Sequence, residues 1–316
     1  MNWLDRQSFL GLGSEARLAH ATVGLVGLGG GNSHVAQQLA HVGIGNFVLI
    51  DADRISPTNL NRLIGGTWWH VLRRTAKVLI AKRMIRAINP NARVEVHTEQ
   101  WQLAANALKR CDVVVGGLDN VRSKDELDAF CRRHLVPYVD QGMDVHKLGG
   151  GHGHLVAGQV FLSEPGGPCL RCMGIVTDDA LAEEAKRYGA AGGRPQVVWP
   201  NGVLASLAVG LVVQAIVPWS RRTRPGSYLA FDGNSGLVAE PERFRRWSEA
   251  ECRHYPAPSV GDMSFDIRKV QGRPRVDKPR ALRRVRSAVS RLFTLTTAWV
   301  RGTRYRDLAD TEKKGL

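Results

Sequence analysis

One short segment constrains this chain more than any other. An apolar run at residues 22–27 breaks into Gly27-Leu28-Gly29-Gly30-Gly31-Asn32, and a helical pattern follows at 33–42. Glycines accept backbone conformations closed to other residues, and they let a main chain approach phosphates seated at a helix N-terminus. A second apolar run at 47–50 ends in Asp51, 24 residues beyond Gly27, where a carboxylate can accept bonds from ribose hydroxyls. Asn32 stands where a strict G-x-G-x-x-G would place its last glycine, so it is the strand–turn–helix context that points to a nucleotide.

The alternation continues. Helical periodicity at 75–88, a strand at 93–97, a helix at 101–108, a strand at 112–115, a helix at 123–134 and a strand at 137–139 predict parallel strands joined by crossover helices. The expected fold is α/β, a Rossmann-like and mostly parallel sheet with helices on both faces. After Gln141 the rhythm changes. A Gly/His-rich stretch at 148–154, a strand at 158–162, a Pro-Gly-Gly-Pro turn and strands near 228–231 and 236–238 predict a smaller antiparallel or irregular part. Residues 177–194 read as a surface excursion. The apolar run at 203–217, interrupted by Ser206 and Gln214, is about 15 residues where a membrane span needs about 20. It predicts a core helix and no span.

Charge divides the chain. Of a net +15 over 316 residues, +10 falls from Pro241 onward. The expected organisation is a near-neutral body, residues 1–240, and a basic extension, 241–316, carrying an amphipathic helix at 280–300. Such a surplus suits an acidic partner, but few aromatics interleave these arginines, so nucleic-acid binding as the main function has little support. Five cysteines, an odd number, and no basic-then-apolar leader predict a reducing, cytoplasmic setting.

A nicotinamide enzyme would be the default reading of the glycine turn, yet a dehydrogenase needs no Asn/Arg cluster after the second strand. Here Asp51-Ala52-Asp53 leads into Thr58-Asn59-Leu60-Asn61-Arg62. With Gly43-Ile44-Gly45-Asn46, Lys77, Ile88-Asn89-Pro90 and Asp119-Asn120, the set resembles the adenylation domain of the ThiF/MoeB/HesA family, bacterial relatives of ubiquitin-activating enzymes, over about residues 4–240.

The resemblance implies a chemistry. The C-terminal carboxylate of a ubiquitin-like or sulfur-carrier protein ending in Gly-Gly attacks the α-phosphate of ATP, giving an acyl-adenylate and pyrophosphate. An anion must meet a polyanion, so fixed positive charge and a metal ion are required. By the same resemblance, Gly27, Gly29 and Gly30 form the nucleotide loop, Asp51 holds the ribose, Asn59, Arg62 and Lys77 hold the phosphates, and Asp119 binds Mg²⁺. Asp5-Arg6-Gln7 matches an N-terminal motif whose arginine reaches the ATP of a partner subunit, implying a homodimer with Arg6 acting in trans. Plain structural readings stand beside these: Asp119-Asn120 as a helix cap, Lys77 as a solvated lysine, Arg6 as a surface residue. One position departs from the pattern, because Lys124 stands where the family often has an arginine, and a lysine offers a point charge without a fork.

Cys169-Leu170-Arg171-Cys172 matches half of the family's structural Zn²⁺ site, normally two CxxC pairs. A second CxxC is absent from the sequence; Cys252-Arg253-His254 is the nearest substitute. Without zinc, Cys169 or Cys172 becomes a candidate for taking the acyl group as a thioester. His152 and His154 read as turn histidines, and residues 148–153 as a passage for a flexible substrate tail. Other readings are adenylation of a small substrate, such as a peptide terminus or a modified tRNA base, a dinucleotide oxidoreductase, and a silent partner-binding scaffold.

Overall fold

The fold is described from a computed structural model, for residues 3–148, 153–186, 195–221, 226–248 and 252–269. His152, the end of the 177–194 excursion and the basic helix at 280–300 with its acidic partner lie outside the described residues.

Five strands, β1 (Thr22–Val26), β2 (Asn46–Ile50), β3 (Arg93–His97), β4 (Val113–Gly116) and β5 (Tyr138–Lys147), lie parallel in the order β3-β2-β1-β4-β5. Three more, β6 (His154–Ser163), β7 (Ser227–Asp232) and β8 (Leu237–Ala239), extend the same sheet antiparallel. The expected antiparallel part is thus a continuation of the parallel sheet. β5 and β6 are longer than their apolar cores suggested, because they pair as a hairpin from Tyr138↔Ser163 to Lys147↔His154.

The parallel strands are apolar on both faces because helices cover both. Val23 and Leu25 of β1 share one core with Phe47, Leu49, Val113 and Val115, under α2 (Gly30–His41), α4 (Lys77–Ile88) and α8 (Val198–Ile216). Val26, Val48, Ile50 and Val114 form the other, under α5 (Trp101–Leu108) and α6 (Val121–Arg133). Each such buried aliphatic side chain contributes about 1.5–3 kcal/mol.

At 19 residues, with a mean hydropathy of 1.5, α8 exceeds the predicted run and is by length and composition apolar enough to cross a membrane. Half of that stretch is buried, with Leu204, Ala205, Ala208 and Val212 in the core that α2 and the sheet share. This is the packing of a core helix.

Two glycines are fixed by close approach. Gly45 follows α1 (Ser14–His20) in space, and a Cβ on it would lie 1.8 Å from the Ala19 carbonyl oxygen, a backbone atom that cannot step aside. Gly45→Ala is expected to cost about 3 kcal/mol or more, read as a lower denaturation midpoint at unchanged slope. Gly27 has φ +77°, and a Cβ there would lie 2.8 Å from the Gly117 carbonyl oxygen. It therefore lets the loops leaving β1 and β4 touch.

Composition placed a boundary at Pro241, but packing does not. The first compact unit runs from Met1 to Val270. Helix α9 (Glu242–Arg245) sets Phe244 edge-on against Phe161 and Tyr228, with ring centroids 6.4 and 6.5 Å away, and Cys252, Tyr255 and Ile267 are buried as well. Apolar residues spaced through a polar, arginine-rich stretch carry this region into the core.

Candidate functional site

The strand order reverses between β1 and β4, which opens a crevice at their carboxyl ends, the usual ligand seat of such sheets. Gly29 is the N-cap of α2, and nothing stands within 4 Å of where its Cβ would be. A Cβ on Gly30 would meet Asn201 Nδ2 at 2.7 Å and Arg62 Cδ at 3.2 Å. The Arg62 side chain therefore crosses the first turn of α2, and Ser33 holds it there indirectly, since its Oγ accepts the Ile64 N–H at 3.0 Å.

Asp51 binds the rim together. It accepts the Leu28 N–H at 2.6 Å and the Asp53 N–H at 2.7 Å. Burial pushes its carboxyl up from the ordinary value, and the Lys77 cation partly opposes this. Lys77 donates to Asp53 at 2.7 Å and lies 3.9 Å from Asp51. Arg62 has only neutral partners, the Thr58 carbonyl at 2.7 Å and Asn61 Oδ1 at 3.0 Å, so its charge is uncompensated among the described residues. Asn59 Oδ1 accepts from the Ser56 N–H and hydroxyl at 2.9 and 3.1 Å, fixing the turn that presents Arg62.

Asp119 is exposed after β4 and has no partner among the described residues. The helix-cap reading belongs to its neighbour: Asn120 Oδ1 accepts the Ser123 N–H at 2.7 Å. The remaining first-turn donors of α6, the Val121 and Arg122 N–H groups, reach the carboxylate of Glu184 at 2.8 and 2.9 Å. Glu184 comes from α7 (Asp178–Lys186).

Gly27, Gly29, Gly30, Asp51, Asn59, Arg62, Lys77 and Asp119 thus lie on segments leaving the same edge of the sheet. Arg6 does not join them. It is exposed on a short 3₁₀ turn, Asp5–Leu10, which Gln7 ties to the Val42 carbonyl at 3.1 Å, at the far end of α2. The twelve residues of α2 put about 18 Å between its ends.

Lys124 is committed to a carboxylate of its own. It is buried and donates to Asp140 at 2.9 Å, and Tyr138 donates to the same carboxylate at 3.0 Å. Its charge is cancelled beneath the rim. Three residues escaped the sequence reading. Asn32 donates to the Val26 and Val115 carbonyls at 3.1 and 3.2 Å, clamping β1 to β4. Gln141 donates to Asn32 Oδ1 at 2.6 Å, and Asn201 packs on Gly30. Only Asn32 left a signal, as a polar residue where the pattern asks for glycine.

A second cluster lies elsewhere. Cys169, Cys172, Cys252 and His254 bring four ligand atoms within 4.8 Å of one another. Cys169–Cys172 and Cys172–Cys252 are 3.6 Å apart, and His254 Nδ1 is 3.5 and 3.3 Å from Cys169 and Cys172. Sulfurs about 2.3 Å from a tetrahedral Zn²⁺ stand about 3.8 Å from one another, so the donor set fits that ion. The Cys172 N–H points at Cys169 Sγ at 3.4 Å, as in a metal knuckle. Behind it, buried Arg132 donates to the Gly167 carbonyl at 3.1 Å, to the Pro168 carbonyl, to Ser163 Oγ at 3.0 Å and to Asp128. Asp128 in turn accepts the Leu170 N–H at 3.0 Å. Cys252-x-His254 supplies the missing half of the site although its spacing is not that of a usual zinc pair.

Fold and rim together define an α/β protein with a nucleotide-type crevice and a separate Cys₃His cluster. The chain belongs to the ThiF family, whose model matches residues 4–253. It is 38% identical over 131 residues to the tRNA threonylcarbamoyladenosine dehydratase of Escherichia coli K12, covering 39% of this chain and 47% of that protein. It is 30% identical over 232 residues to the adenylyltransferase and sulfurtransferase MOCS3 of Drosophila willistoni, covering 72% and 47%. The chain thus spans about half the length of these relatives. Among solved structures, E. coli MccB with ATP superposes at a TM-score of 0.63 and 21% identity, over 76% of this chain and 71% of that one.

Proposed function

We propose that this chain is an ATP-dependent adenylyltransferase that activates the C-terminal carboxylate of a ubiquitin-like or sulfur-carrier protein ending in Gly-Gly. The observation that carries the reading is the presence, at one sheet edge, of a guanidinium, Arg62, with no counter-charge and an exposed carboxylate, Asp119, with no partner among the described residues, around an open glycine turn. In a site that must seat a triphosphate with its cation, both have work to do.

In this reading Asp51 keeps lone pairs for a ribose hydroxyl beyond its two N–H bonds. Gly29 and Gly30 open the N-terminus of α2 to phosphate oxygens, and Arg62 with Lys77 carries the charge that builds as the carboxylate reaches the α-phosphorus. Asp119 would hold Mg²⁺, which spreads that charge. The carboxylate–phosphorus bond forms as pyrophosphate leaves. Arg6 stands about 18 Å from its own crevice by the length of α2, which favours a homodimer in which it serves the partner's site. Five unpaired thiols suit a cytoplasmic setting.

The test is ATP–pyrophosphate exchange dependent on candidate carriers. Asp119→Ala is expected to lower exchange by about 10²-fold or more with the fold intact; normal exchange in that variant refutes the site.

A second reading, an RNA-borne carboxylate, has one observation in its favour besides the dehydratase relative. On α3 (Trp68–Leu72), between Arg62 and Lys77 in the chain, Trp68 and Trp69 are exposed, and the Arg73 guanidinium lies 4.1 Å from the Trp69 ring. Exposed aromatics beside arginine are a stacking platform for bases. Exchange stimulated by tRNA and not by carriers would select it.

A further inference from the structure

We propose that the outer side of α3, with the exposed side of α4, is a docking surface for an anionic lipid bilayer. The inference goes beyond the adenylation reading and does not depend on it.

Positive charge in the body of the chain is gathered in one stretch. Residues 54–94 hold nine Lys and Arg and no Asp or Glu, against 16 and 20 in the rest of residues 1–240. Arg62 and Lys77 belong to the crevice, and Lys77 alone of the nine has an ion pair among the described residues. Of the other seven, six are exposed: Arg54, Arg73, Arg74, Arg83, Arg86 and Arg93.

The fold sets apolar groups among these cations. Val71 packs inward on Ile55, Leu63 and Ile80, which seats α3 on the first turn of α4. At about 100° per residue, Trp68, Leu72, Trp69 and Arg73 follow one another around the side turned away from Val71. Trp68 is 65%, Trp69 57% and Leu72 75% exposed, and the Arg73 guanidinium lies 4.1 Å from the centre of the Trp69 ring. Arg74 follows at φ +47°, a conformation costly to any side chain, and its carbonyl accepts from Arg54 at 2.7 Å. On α4, Leu79, Arg83 and Arg86 share one exposed side at i, i+4 and i+7.

Charge and shape together select the partner. A second copy of this face would set like charges against one another with no carboxylate between them. A nucleic acid has use for the rings and the arginines, but it leaves Leu72, the most exposed of the three apolar groups, against phosphates. A bilayer uses every group. Tryptophans settle at the headgroup level, leucine enters the acyl boundary, and arginines meet lipid phosphates. The single turn of α3 buries little apolar area, so attachment needs the wedge and the cations at once.

The experiment is flotation of the full chain with vesicles of phosphatidylcholine alone, and of phosphatidylcholine with phosphatidylglycerol at two to one. The expected result is binding to the anionic vesicles, weakened by salt, and little binding to the neutral ones. Arg73→Glu with Arg74→Glu lowers the partition coefficient about 25-fold or more, at about fivefold per basic residue lost. Trp68→Ser with Leu72→Ser lowers it about tenfold. Melting temperatures stay within a few degrees, because these side chains are exposed. The chain from Pro241 onward is basic too, so a second arm locates the contact. Lipid brominated in its acyl chains quenches tryptophan emission, and Trp68→Phe with Trp69→Phe, which keeps the wedge apolar, removes most of that quenching. Quenching unchanged in this variant, or vesicle binding unchanged in either of the other two, overturns the proposal. Absence of binding to anionic vesicles overturns it as well; a single-stranded RNA that binds the chain and is lost in Trp68→Ser then assigns the face to the RNA reading.

Discussion

Arg62→Ala binds Mg²⁺·ATP about ten- to a hundredfold more weakly than the unaltered chain in isothermal calorimetry, while its melting temperature stays within a few degrees. The size follows from losing charge-assisted bonds to phosphate, each about 1.5–3 kcal/mol. Stability is spared because the native partners of Arg62 are the neutral Thr58 carbonyl and Asn61 side chain, in a half-exposed setting. Arg62→Lys recovers part of the affinity, since the point charge remains and the fork is lost. Asp53→Asn moves in the opposite direction: Lys77 now spends its charge on Asp53 at 2.7 Å, and releasing it strengthens ATP binding. Equal ATP affinity in all three variants would remove Arg62 and Lys77 from the phosphate site.

Arg132→Met has the larger effect on stability. It strands the Asp128 carboxylate, which is wholly buried and otherwise accepts only from the Ser163 hydroxyl and the Leu170 N–H among the described residues, and breaking such a pair costs about 3–5 kcal/mol. For a body of this size that is a loss of roughly 10 °C in melting temperature. It also frees the Gly167 and Pro168 carbonyls ahead of Cys169, so zinc retained against a chromogenic chelator falls about 10- to 100-fold, as for other outer partners of metal ligands. Asp128→Asn with Arg132→Met removes both charges. This pair is expected to restore most of the melting temperature and not the zinc retention, because the carbonyl clamp stays absent. Full zinc retention in Arg132→Met would show that the knuckle needs no support from α6.

The legible part of the site is the part whose residues are close in sequence to the turns they serve. Gly27, Gly29, Gly30 and Asp51 were readable because each ends or follows a strand, and strand ends on a parallel sheet are brought to one edge by the topology itself. Asn59 and Arg62 were readable with them, being one turn apart on the segment after β2. Lys124 was not, because its role turns on Asp140, which sits on the next strand and cancels its charge. Asn32 looked like a departure from a phosphate loop and proved to be the clamp between β1 and β4. The Pro241 boundary misled for a related reason: charge composition records what faces water, whereas Phe244, Cys252 and Tyr255 record what faces the core.

Sequence alone determined the alternation of strands and helices, the glycine turn and the family, since these follow from local periodicity and from backbone conformations that few residues accept. Tertiary structure alone decided which distant side chains meet. It brought Cys252 and His254 to Cys169 and Cys172 across about 80 residues of chain, and among the described residues it left Arg62 without a counter-charge while giving one to Lys77. It also sent all five thiols into core or cluster. Contacts at that range are fixed by the path of the folded chain, and residue spacing carries no record of them.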